Sequence, residues 1–172
     1  MLAETIRSLY GHNRWATEQL LTVAARLTPE EWLAPGAAGH GSVRDTLVHA
    51  IGTQRGWCSW WDGSLPPMEA YGLKADPLDY PDIDSVRALW RTVAEDSQTF
   101  VDGLSDADVE RVFSFPLPNG MQFRLTLWQM MLHVSTHATQ HRAEVAAMLT
   151  GFGHSPGDLD LLGYFQPVVP AL

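Results

Sequence analysis

Residues 126–151, TLWQMMLHVSTHATQHRAEVAAMLTG, run without a proline and without a glycine before the last position. That run reads as one helix of roughly 38 Å. Thr126 with Gln129 forms a capping box at its start, and Gly151 stops it. Three more long helical patterns precede it. The first spans Leu2 to Leu27, with Ile6, Leu9, Tyr10, Asn13, Leu20, Leu21 and Ala24 near helical spacing. Thr28-Pro29-Glu30-Glu31 then starts a short turn carrying Trp32. The next long helix is capped by Ser42, with Asp45 in the capping-box place. It turns Val43, Leu47, Ala50 and Ile51 to a core and then carries Trp57, Trp60 and Trp61. The third starts near Asp84 and ends at Gly103.

Between these lie two informative connections. GAAGHGS, residues 36–42, reads as a loop. SLPPMEAYGLKADPLDYPDID, residues 64–84, is long and dense in Pro, Asp and Gly, and long connections often carry function. RVFSFPLPNGMQFRL switches to period two around Asn119-Gly120, a hairpin signal, while Pro116 and Pro118 limit it to a small edge ribbon. After Gly151 the tail adds at most one more turn. The expected fold is all-α: a four-helix bundle with a small β-hairpin before the last long helix. Residues 1–172 make one domain, with no internal repeat.

The 172 residues carry a formal net charge of -9 with only 11 Lys and Arg. Such a surface argues against a nucleic-acid partner, which needs a basic stripe. Cys58 is the one cysteine, so no intramolecular disulfide forms, and it reads as an inert buried thiol. The opening MLAETIRSLYGHNRW has no apolar signal core, and no apolar run approaches the ~20 residues of a membrane span. A cytoplasmic protein is expected, with no membrane partner.

Within the last long helix, HVSTHATQH spaces His133, His137 and His141 four apart. Side chains so spaced share one face, and two imidazoles can hold one divalent ion at about 2.1 Å per nitrogen. Three in a row span about 12 Å, too far for all to reach one ion. The stretch therefore supplies at most two ligands, and His137 belongs to either pair. His133 reads as a residue at the core edge or one that steadies a ligand. A third ligand must come from another helix, and His49 is the candidate, mid-helix between Leu47 and Ile51. Asp45, one turn earlier, is placed to orient its ring. Three neutral histidines leave an open coordination position, the arrangement of catalytic sites. H-E-x-x-H protease chemistry is excluded, since Val134 and Ala138 stand where the glutamate belongs. His12, His40 and His154 read as surface or loop histidines, with His12 able to approach a site mouth. The tryptophans at 57, 60, 61 and 90 suit packing more than ligand contact. Trp57 is the one retained as a substrate contact, together with Arg142. Arg142 and Glu144 sit beside the site as substrate-binding, ligand-supporting or rim residues.

The stretches HNRWATEQLL, SVRDTLVHAIG and HVSTHATQHRAEV, leading into LTGFGHSPGDLDLLGYF, resemble the DinB/YfiT-like superfamily over nearly the whole chain. The resemblance implies a four-helix bundle whose metal is held by one histidine of the second long helix and an HxxxH pair of the last. By motif position these are His49, His137 and His141, with His133 matching a non-ligand histidine. Where the family often continues Arg-Gly-Gln, this chain reads Arg142-Ala143-Glu144. The resemblance also implies zinc or nickel, a homodimer, and a small-molecule substrate. Some relatives transfer low-molecular-weight thiols or isomerise thiol-dependent substrates, and others resemble amidohydrolases. The expectation is a metal-dependent enzyme, with transfer of a thiol to an electrophile, in stress response or detoxification, the first reaction to test. Its alternatives are a metal-dependent hydrolase or isomerase, or a non-catalytic metal-binding bundle. No catalytic base is legible.

Overall fold

The computed structural model describes residues 1–36, 39–116 and 121–166. The chain folds as α1 (Leu2–Ala24), α2 (Pro29–Leu33), α3 (Val43–Trp61), α4 (Pro67–Gly72), a 3-10 turn at Pro77–Asp79, α5 (Ile83–Asp102) and α6 (Asp106–Val109). The hairpin strands β1 (Val112–Pro116) and β2 (Gln122–Thr126) follow, then α7 (Leu127–Gly151) and α8 (Leu161–Phe165). α1 and α3 each pack along both α5 and α7. The long helices therefore close a ring of four, with α1 and α3 across one diagonal. The strands pair antiparallel, Phe113 opposite Leu125 and Phe115 opposite Phe123. The Asn119-Gly120 turn lies outside the described residues. No helix among the described residues is long and apolar enough to cross a membrane.

The local signals set most boundaries. Thr28 accepts from the Glu31 amide at 3.2 Å while Glu31 reaches back to the Thr28 amide at 2.9 Å. α1 stops at Ala24, short of Leu27, because tight turns from Arg26 to Val23 and from Leu27 to Ala24 bring the chain round to that cap. Ser42 accepts from the Asp45 amide at 3.1 Å. The reciprocal half of that expected box is replaced by an ion pair, since Asp45 Oδ1 instead lies 2.8 Å from Arg44 Nε.

Two apolar clusters fill the bundle. Leu20, Val48, Trp90 and Val145 belong to one, and Ile6, Trp61, Val101 and Met131 to the other. Between them lies a buried polar layer. Asn13 donates to Gln54 at 2.8 Å, Gln54 donates to Ser97 at 2.9 Å, and Cys58 Sγ lies 3.3 Å from Ser97 Oγ. Burial pushes the Cys58 thiol up to about 12, with the Ser97 contact pulling weakly the other way. Arg142 is only 5% exposed, donates to Asn13 Oδ1, and lies 2.8 Å from Thr139 Oγ1. A buried polar group is tolerated only when partnered, so these bonds fix how α1, α3, α5 and α7 register.

The 64–84 connection is a strap over α3. Two glycines of α3 admit it: a Cβ on Gly56 would stand 2.6 Å from the Ala70 carbonyl oxygen, and one on Gly52 would stand 2.9 Å from Ala75 Cβ. Without side chains there, α4 and the segment behind it settle against the helix.

Candidate metal centre and its pocket

α3 and α7 lie side by side, and one turn of each presents imidazoles to the other. His49 Nε2 is 3.3 Å from His137 Nε2, which is 3.2 Å from His141 Nε2. Two nitrogens bound at about 2.1 Å to one tetrahedral ion stand about 3.4 Å apart. Both observed pairs match that spacing.

The protonation chemistry agrees. His141 Nδ1 lies 2.6 Å from Glu144 Oε2, a partner for an N–H at that nitrogen, which leaves Nε2 facing the cluster. Burial first, then the charges of neighbouring histidines, lowers the pKa of both His49 and His137 to about 4, and Lys74 adds to the effect on His49. Both are neutral near pH 7, as ligands must be. Burial works to raise the Glu144 pKa, but bonds from His141 and Gln140 outweigh it and hold the carboxyl below its ordinary value. Imidazole nitrogens that face one another this closely are placed to hold a cation between them.

His40 joins the group from the loop before α3. Its ring stacks on His49 at 3.5 Å between centroids, and ligand atoms of His40, His49 and His141 all lie within 4.8 Å of one another. Gly39 and Gly41, with φ of 73° and 112°, give the backbone the left-handed turns that bring it in. Two overlapping triads thus share His49 and His141. The set with His40 is the one whose ligand atoms all lie mutually close, while His137 Nε2 stands within 3.3 Å of His49 and 3.2 Å of His141 and sits, like them, on a helix. His40, exposed and on a loop, stands at the edge of the group. Sequence periodicity carries no information about a loop residue, so the sequence alone presents His40 as a surface histidine.

The other expected site residues distribute as follows. Asp45 faces Arg44 and is not bonded to the His49 ring, so the carboxylate that orients a cluster imidazole is Glu144, on His141. His133 lies one turn away, 6.0 Å from His137 and 5.7 Å from Trp57 between ring centroids. Arg142 turns into the bundle, towards Asn13 and Thr139, rather than towards the pocket that a substrate would enter. Its burial lowers its pKa to about 10, still charged near neutrality. His12, expected at the surface, is buried because the tail covers it, with Nε2 2.8 Å from the Leu159 carbonyl oxygen.

A pocket of about 640 Å³ opens against the cluster. His40, His49, His133 and His137 form one wall, Trp57 and Trp60 continue it along α3, and Tyr71 and Lys74 of the strap face them. Trp61 and Trp90 are instead buried in the two cores.

A family model described as DinB family matches residues 1–168. The protein named Protein DinB of Bacillus subtilis (strain 168) is 22% identical over 158 residues, which cover 89% of this chain and 90% of that protein.

Proposed function

This chain belongs to the DinB family, and from that premise we propose that it is a metal-dependent enzyme acting on a small molecule at the pocket beside the histidine cluster. The observation that carries the reading is the placement of His49 and His137, whose nitrogens converge with His141 and whose rings also line the pocket. A purely structural metal site is closed by protein ligands on every side, whereas this cluster borders a space that a substrate can fill. Zinc or nickel suits an all-imidazole set.

A divalent ion held there supplies Lewis acidity, lowering the pKa of a thiol or a water at the open position. The residues do the rest. His49 and His137, neutral near pH 7, offer lone pairs without first losing protons. Glu144 fixes the tautomer and direction of His141 and offsets positive charge there. Trp57, at the pocket wall beside His133, excludes water from one side of the space. Thiol transfer to an electrophile is the reaction proposed, because an ionised thiol remains nucleophilic at neutral pH.

The test is turnover of cellular thiols with an electrophile such as 1-chloro-2,4-dinitrobenzene, using protein purified without added metal. Expected are a rate above background, its loss on chelation, and its recovery on adding zinc or nickel. Stoichiometric metal with no thiol, ester or amide turnover would replace the enzyme reading with a metal-stapled bundle.

A further inference from the structure

The pocket is longer than the metal centre needs, and its two ends differ chemically. Near His49, Arg44 is paired with Asp45 at 2.8 Å, and Asp76 uses a carboxylate oxygen to cap the 3-10 turn at the Leu78 amide, 2.9 Å away. Lys74 lines the same space and forms no ion pair or hydrogen bond with the described residues. The lining sets two cations, Arg44 and Lys74, against two carboxylates, Asp45 and Asp76, and Lys74 is the cation left without an ion pair among the described residues. An ammonium held against a pocket by the strap recognises an anion.

The far end is aromatic. Trp60 meets Phe113 and Phe115 edge-on at 5.6 and 5.5 Å between centroids, and Tyr71 meets Phe115 at 5.4 Å. Trp60 stands eleven residues beyond His49 on α3, about 16 Å along the axis, and Trp57 about 12 Å. The strap that carries both Lys74 and Tyr71 is seated by Gly52 and Gly56.

We propose that the pocket selects an elongated carboxylate, its charged head at Lys74 beside the metal centre and its flat apolar end among Trp60, Tyr71 and Phe115. This rests on the reading of the histidine cluster as the reacting end, and it names the substrate class and two specificity residues. Lys74 sets the charge preference. Trp60 sets affinity for the apolar end without regard to charge.

Calorimetric titration of the metal-loaded protein with 6-phenylhexanoate, 6-phenylhexanamide and 6-phenylhexylamine tests it, with metal content measured on the same samples. The acid is expected to bind about tenfold tighter than the amide, and the amine weakest. Lys74→Met should bring the acid to the affinity of the amide, and Trp60→Ala should weaken acid and amide alike. No binding of the acid, equal binding of all three, or an acid preference that survives Lys74→Met overturns the proposal. An acid preference that disappears with the metal in His137→Ala yet persists in Lys74→Met would assign recognition to the ion, and also overturns it. Protein that carries no metal but binds the acid through Lys74 would refute the metalloenzyme reading and leave this inference standing.

Discussion

Removing the Glu144 carboxylate should weaken metal binding while leaving every imidazole in place. Glu144 Oε2 sits 2.6 Å from His141 Nδ1, and Gln140 Nε2 donates to its other oxygen at 3.2 Å. Its side chain is 18% exposed, so water replaces it poorly. The bond selects the tautomer that bares Nε2 and makes that nitrogen more basic. Losing such a partner typically costs about 10–100-fold in metal affinity, or about 1.4–2.8 kcal/mol. Glu144→Gln keeps an oxygen to accept the Nδ1 proton but loses the charge, so it belongs at the tenfold end. Glu144→Ala frees the ring to rotate and belongs at the hundredfold end. Competition for zinc against a chromophoric chelator measures both, and circular dichroism of the chelated proteins checks that the bundle is intact. A Glu144→Ala protein that binds zinc as tightly as the parent, with its fold unchanged, would refute the claim that this carboxylate prepares His141.

His137→Ala should abolish tight zinc binding in the same competition, whereas His40→Ala should weaken it far less, since His40 is exposed on a loop while His137 is held on a helix between His49 and His141. Gly56→Ala puts a Cβ 2.6 Å from the Ala70 carbonyl, so the strap must lift; overpacking of this kind costs about 1–3 kcal/mol, and calorimetry should find weaker ligand binding with zinc content unchanged. Asn13→Ala strips the buried Arg142 and Gln54 of a shared partner and should lower urea stability by about 2–3 kcal/mol. In metal-free protein, His49 and His137 titrate near 4 when folded against 6.5 as ordinary imidazoles. The unfolded chain thus binds protons that the native chain refuses as pH falls from 6.5 towards 4. The contribution of these two residues should be most favourable above pH 6.5, fall across that window and level off below it, read as urea midpoints at successive pH values.

The sequence made the rods legible because caps and periodicity are local. Thr28, Ser42 and Gly103 stand where α2, α3 and α5 begin or end, and the four-residue histidine spacing placed His137 and His141 on one face of α7. His49 is legible because a polar ring between Leu47 and Ile51 needs a reason to be there. What the sequence does not reveal depends on distant chain segments meeting. His40 arrives on a loop. Arg142 faces inward because Asn13 of α1 supplies an oxygen 129 residues away. Asp45 turned to its neighbour Arg44, a competition that spacing does not rank. The strap was visible as a long Pro-rich connection, but the significance of Gly52 and Gly56 rests on Ala75 and Ala70 lying above them. The short α6 carries too few residues for a periodic signal.

The central claim is that imidazoles of α3 and α7 share one cation. X-ray absorption at the metal edge, on protein purified without added metal, tests it most directly. One divalent ion per chain is predicted, with at least three imidazole nitrogens at about 2.0–2.1 Å and the signal lost in the His49→Ala, His137→Ala double variant. A first shell of oxygens alone, or an ion that remains in that variant with the same shell, would contradict it.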